Sequence, residues 1–199
     1  MKSILTMLLI LTGLFLLSYC TSKDQNTENT EQTSEQTTEM SEQDLKDRGE
    51  YLVTIAGCHD CHSPKRMGER GPEVIKETAL SGFPAEREIK KADKEALREG
   101  WVLSNEDITQ SVGPWGVSFS ANLTSHQSGI GTWSEEQFRK ALKEGKFKGM
   151  DGGRMLLPPM PWQNFANMKD EDLRAIYTYL KSTNPVSNVV PAPIPPNEL

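Results

Sequence analysis

Cysteine is scarce in this 199-residue chain: Cys20, Cys58 and Cys61 are the full set. Three thiols, an odd number, are too few to frame a small secreted domain with disulfides. Surplus positive charge is missing too. The 22 Lys and Arg face 28 Asp and Glu, for a net charge of -6. Such a surface repels phosphate backbones, which argues against nucleic acid as a main partner. No hydrophobic run reaches the roughly 20 residues that a membrane span needs, and no stretch alternates apolar and polar residues long enough to mark a half-buried strand. Hydrophobic residues make up only 36% of the chain, yet its length is enough for one globular domain of ordinary size.

What is present starts with a leader. Met1-Lys2 supplies a positive start, and 11 of the 14 residues from Ile4 to Leu17 are Ile, Leu, Met or Phe. That is the length of a signal-peptide core and not of a permanent anchor. The following Leu17-Ser18-Tyr19-Cys20 resembles a bacterial lipoprotein signal, with Tyr19 where a small residue is usual. The resemblance implies cleavage after residue 19 and a lipid on Cys20. The alternative is a soluble exported protein cut elsewhere.

From Thr21 to Gln43 the chain is Ser, Thr, Gln, Asn and Glu-rich, without aromatic or β-branched aliphatic residues. It cannot bury enough apolar surface to offset its ordering entropy, so residues 20–43 read as a lipidated, solvated tether. Asp24, Glu28, Glu31, Glu35, Glu39 and Glu42 carry its charge, and without those six the remaining 22 acids balance 22 bases. The folded unit is expected over residues 44–184. Residues 185–199, with five prolines, should lie extended along the surface or hang free.

Three helices stand out. Ser41 is placed to cap one whose apolar face runs Leu45, Leu52 and Ile55, with Gly49 on the same side. Ser134-Glu135-Glu136-Gln137 is a capping-box sequence ahead of Phe138, Ala141 and Leu142, with Gly145 as the stop. Asp170-Glu171-Asp172 puts acids at the start of a third, carrying Leu173, Ile176, Tyr177 and Leu180 at helical spacing, and Asn184-Pro185 ends it. A fourth is expected over Asp93 to Glu99. The fold class is therefore mainly α, about four helices joined by long Gly- and Pro-rich loops.

Directly after the first helix comes Gly57-Cys58-His59-Asp60-Cys61-His62. Two thiols three positions apart with a histidine immediately following is the pattern by which c-type haem is attached. The thiols add to the porphyrin vinyl groups and the adjacent imidazole ligates the iron. A thioredoxin-like pair wants a strand before its motif, and none is near. A zinc site wants a second ligand pair, and only His126 remains. A plain disulfide leaves His62 without a role. His59, between the thiols, is expected to point to solvent. The sixth iron position separates an electron carrier, closed by a soft thioether, from an enzyme with an open site. Met160, in Leu157-Pro158-Pro159-Met160-Pro161-Trp162, is presented from a loop that prolines stiffen. Met155 and Met150 follow as candidates.

These residues resemble class I cytochrome c. More narrowly, Tyr51 to His62, Leu80-Ser81-Gly82, Asn122-Leu123-Thr124, Gly129 to Ser134 and Leu157 to Trp162 are similar to the haem modules of cytochrome subunits of bacterial periplasmic dehydrogenases. The resemblance implies one haem c, held by Cys58 and Cys61, with His62 and Met160 as axial ligands. It also implies that the first and last helices cross closely, with Gly49 admitting a large residue such as Tyr179 or Ile176. Trp133, Trp162, Arg154 and Asn122 lie in the matching stretches, as contacts to haem propionates or as core packing. Many such subunits carry three modules, whereas this chain has one motif, and Pro84 to Ser120 is longer and more charged than the family pattern. The expected role is a membrane-tethered electron carrier with no catalytic residue of its own. Its donor would be a dehydrogenase or quinol-oxidising complex, and its acceptor an oxidase or another cytochrome. The alternative is a haem enzyme of peroxidase or nitrogen-oxide reductase type.

Overall fold

The computed structural model describes residues 40–199. The leader, Cys20 and the tether up to residue 39 lie outside the described residues. Helix α1, Glu42–Ile55, starts at Ser41, whose side chain accepts from the Asp44 amide while the Asp44 side chain accepts from the Ser41 amide. This reciprocal cap satisfies two donors that the first turn leaves orphaned. The last helix, α6 (Asp170–Ser182), has three acids in its first turn, where the helix dipole favours them. The guanidinium of Arg48 in α1 clips onto Asp172 in α6, with Nε 2.7 Å from Oδ1.

The two helices pack against each other through a shared core of Leu45, Leu52, Val53, Ala175, Ile176 and Leu180, joined by Leu80, Ile130 and Phe138. Gly49 sits at their crossing. A Cβ there would fall on the carbonyl oxygen of Ala175 and within 2.6 Å of the Tyr179 Cβ. The close approach expected at Gly49 is thus found, against Tyr179 and the backbone of Ala175. One detail of the expected face differs. Ile55 is 60% exposed, and Val53, fully buried, takes the inward place.

Helix α2, Cys58–His62, follows after Gly57, whose φ of 68° is the left-handed conformation that glycine adopts without penalty. A hairpin of β1 (Lys65–Gly68) and β2 (Gly71–Val74) comes next, then the short helix α3 (Lys94–Arg98), which lies within the expected span 93–99 and is capped by Asp93. A second antiparallel sheet has the order β3-β4-β5, from Leu103–Ser104, Gln110–Gly113 and Gly116–Phe119. Helix α4 (Glu135–Glu144) carries the expected capping box at Ser134 and ends at Gly145 with φ 66°. A single turn, α5 (Trp162–Phe165), precedes α6.

The described residues therefore hold six helices and five strands where about four helices and no strands were expected. The strands escape period-two reading for a physical reason. All four residues of β4, Gln-Ser-Val-Gly, are buried, so polar side chains face inward and no alternation exists. The segment 84–120 is a built lobe and not a loose insertion. Asp107, 1% exposed, accepts from Arg87 Nη1 at 2.6 Å and from Thr109 Oγ1 at 2.7 Å.

The terminal segment runs extended along the surface and is tied down at several points. The Asn188 amide donates to the carbonyls of Ser81 and Phe83 at 2.7 and 2.9 Å and accepts from the Ala85 amide at 2.9 Å. Ile194 exchanges two backbone bonds with Val117, at 2.8 and 3.0 Å. Among the described residues no helix is long and apolar enough to cross a membrane.

Candidate haem site

Helix α2 puts Cys58 and Cys61 one turn apart, on one face. Both are free thiols, so the disulfide alternative is not realised. Cys58 packs against the core, and burial pushes its thiol up to about 11. Burial raises Cys61 as well. Neither is poised as a redox thiolate, which needs a depressed value.

His62 is oriented by the backbone. Its Nδ1 lies 2.7 Å from the carbonyl oxygen of Ala121. A carbonyl only accepts, so Nδ1 carries the proton, and burial pulls the ring below the ordinary histidine range. The neutral ring then has its lone pair on Nε2, and a ring held by its other nitrogen in this way is the state in which histidine binds a metal. Several residues build this contact. The Gly82 amide donates to the His62 carbonyl at 2.8 Å, and the Phe83 amide to the Ser120 carbonyl at 2.9 Å. Gly82 has φ 78°, and a Cβ there would come within 2.6 Å of the Ala121 carbonyl carbon. Only glycine lets the segment running on from β5 to Ala121 lie so close. Ser63 accepts from the Leu80 amide at 2.9 Å, fixing Leu80 at φ 62°.

His59 departs from the expectation of a solvent-facing ring. It is half-buried, its Nδ1 lies 2.9 Å from Ser63 Oγ, and burial lowers its pKa. It thus adds to the brace around α2.

Of the three candidate methionines, Met155 and Met150 are 41% and 55% exposed, whereas Met160 is half-buried. Its loop contains a cis Pro158-Pro159 bond. The Pro158 carbonyl accepts from Ser118 Oγ at 2.7 Å, and the Met160 carbonyl from the Trp162 amide at 2.9 Å.

The remaining candidates separate. The Asn122 amide is committed to Val186 and Asn188 carbonyls at 2.9 and 3.2 Å and to Ser128 Oγ at 3.2 Å, while its oxygen accepts from the Thr124 amide and hydroxyl. Its donors go to the tail and to Ser128, which makes it a brace between them. Trp133 packs on the core, and its carbonyl accepts from Tyr177 at 2.8 Å. Trp162 lies against Gly145, where a Cβ would come within 2.5 Å of its indole. Arg154 stacks on Phe147, 3.9 Å from the ring centroid, and donates to the Met155 carbonyl at 2.9 Å. Sequence reasoning missed Ala121 and Ser118. Ala121 acts through its backbone and offers no side-chain signal, although it immediately precedes the matching stretch Asn122-Leu123-Thr124.

Two free thiols on one helical face, followed by a neutral imidazole whose second nitrogen is available, form the donor set that haem c requires. The family model for cytochrome c matches residues 47–184, and the chain belongs to that family. Its cofactor is haem c with iron. Among relatives, a subunit of the nicotinate dehydrogenase of Pseudomonas putida is 40% identical over 80 residues, 40% of this chain and 6% of that protein. The fructose dehydrogenase cytochrome subunit of Gluconobacter japonicus is 29% identical over 154 residues, covering 76% of this chain and 23% of the relative. The cytochrome c subunit of the quinone alcohol dehydrogenase of Gluconobacter oxydans is 29% identical over 140 residues, with 70% and 21% covered. The chain thus spans less than a quarter of the length of these relatives.

Proposed function

We propose that this chain is a monohaem, His/Met-ligated electron carrier, exported and tethered to a membrane by lipid on Cys20. Cys58 and Cys61 would hold the haem through thioether bonds, and His62 Nε2 and the Met160 sulfur would bind the iron. The haem supplies one-electron chemistry between the ferric and ferrous states; the protein holds the ligands and keeps water out. A soft thioether ligand would close the iron to outside ligands and raise its reduction potential. The donor is a dehydrogenase, in keeping with the names of the relatives, or a quinol-oxidising complex, and the acceptor is an oxidase or a second cytochrome. Encounters of this type use small, transient interfaces.

The observation that carries the reading is the hydrogen bond from His62 Nδ1 to the Ala121 carbonyl, one residue beyond the paired thiols. Carbon monoxide tests it. The ferrous wild-type protein should bind carbon monoxide poorly at neutral pH, and Met160→Ala should bind it rapidly and stoichiometrically. Rapid binding by the wild type would overturn the closed site and favour the enzyme alternative. An unchanged spectrum in Met160→Ala would remove Met160 as ligand.

A further inference from the structure

The Met160 loop has an unusual difficulty in anchoring itself. Pro158, Pro159 and Pro161 have no amide hydrogen to donate, and the Met160 amide is turned inward onto Leu157, at 3.3 Å. Among the described residues, one hydrogen bond joins residues 157–161 to a distant part of the chain. It runs from Ser118 Oγ to the Pro158 carbonyl, 2.7 Å across 40 positions.

The donor is itself oriented. The Trp115 indole Nε1 donates to Ser118 Oγ at 3.2 Å, occupying a hydroxyl lone pair. The Ser111 carbonyl lies farther from the hydroxyl, at 3.4 Å, so the single proton goes to Pro158. Ser118 is 8% exposed and stands on β5, which is held along both edges. β4 pairs with one, in a register that sets Ser118 opposite Ser111, and Ile194 of the terminal segment pairs with Val117 on the other. The Trp115 ring covers Gly113, where a Cβ would meet it at 2.5 Å.

Three residues beyond Ser118 is Ala121, whose carbonyl orients His62. One strand and its immediate extension therefore carry the group that sets one proposed axial ligand and the group that tethers the loop of the other. We propose that Ser118, oriented by Trp115, is a positioning residue for Met160, holding the sulfur at the iron through the Pro158 carbonyl. This rests on Met160 being the axial ligand.

The test uses the haem-loaded protein and imidazole as competing ligand for the ferric iron. Ser118→Ala should tighten imidazole binding about fivefold, the factor one ordinary hydrogen bond is worth, and should weaken the absorption band of the methionine-ligated ferric iron. Ser111→Ala, a loss on the same sheet that leaves the loop untouched, should change neither. Trp115→Phe, which keeps the Ser118 hydroxyl but removes its donor, should shift imidazole binding in the same direction by about half as much on a logarithmic scale, and it serves if Ser118→Ala does not fold. Equal imidazole affinities in the wild type, Ser118→Ala and Trp115→Phe would overturn the proposal. So would an effect of Ser111→Ala as large as that of Ser118→Ala, since the loss would then belong to sheet stability. Met160→Ala separates the two readings. If it leaves affinity and spectrum unchanged, the ligand assignment falls and this proposal with it. If it opens the iron while Ser118→Ala matches Ser111→Ala, only the positioning role is lost.

Discussion

A buried carboxylate is tolerated only where hydrogen bonds and a counter-charge outweigh desolvation, and Asp107 meets that condition one side chain at a time. Burial works to raise its pKa. The hydrogen bonds from Thr109 and Arg87, and the charge of Arg87, prevail and hold the carboxyl below the ordinary aspartate range. Its backbone carbonyl also accepts from Lys65 Nζ at 2.9 Å, so the lobe is fastened three residues beyond His62. A depressed folded pKa contributes stability that is present above the unfolded value, about 3.9, and is lost as the pH falls through the folded one. Asp107→Asn should cost about 2–3 kcal/mol at pH 7 by leaving Arg87 unpaired. The gap from wild type should shrink below pH 4, where the wild-type carboxyl is itself being protonated. Denaturant titrations at pH 7 and pH 3 measure both; a gap that does not change with pH would show that Asp107 contributes through shape alone. None of this was legible in advance, because Arg87, Asp107 and Thr109 are ordinary surface residue types until the lobe folds them together.

Elements were readable where their signals are local. The caps at Ser41 and Ser134, the stop at Gly145 and the acidic start of α6 each lie within one helical turn of what they control, and all are realised. The hairpins were not readable, since β4 is polar and buried and β1, Lys-Arg-Met-Gly, is half-buried at its ends and exposed at its middle two residues. Their register comes from glycine turns and from pairing, which no period along one strand encodes. The crossing of α1 and α6 is the element-scale feature that Gly49 decides. Gly49→Ala should destabilise the protein by about 2 kcal/mol through overpacking, despite a helix-propensity gain of about 1 kcal/mol, because the obstacle is the backbone oxygen of Ala175 and cannot rotate away. Thermal or denaturant unfolding measures it, and a stabilised variant would mean that the helices separate freely.

Across the whole molecule, the motif Cys58-His59-Asp60-Cys61-His62 announced the cofactor, but not how distant segments serve it. The terminal residues lack any period and leave two readings open, extended along the surface or hanging free; the first holds because Asn188 reaches back 107 positions to the Ser81 carbonyl. Asn122, read as a propionate contact or as packing, secures that tail through the Val186 and Asn188 carbonyls. Truncation after Asn184 should therefore cost at least about 2 kcal/mol, the worth of two or more hydrogen bonds, and should speed amide exchange at Ala85 and Val117, whose N–H groups donate to Asn188 and Ile194. Unaltered exchange at both would show the strap to be dispensable.

The clip between Arg48 and Asp172 joins residues 124 positions apart, and this separation orders the events of maturation. Contacts so distant in sequence form late and slowly, so a chain synthesised and delivered from its N-terminus presents α2 well before α6 arrives to close over α1. Cys58, partly buried, packs against the core that these two helices share, so the surroundings of the first thiol are completed by the last helix to be made.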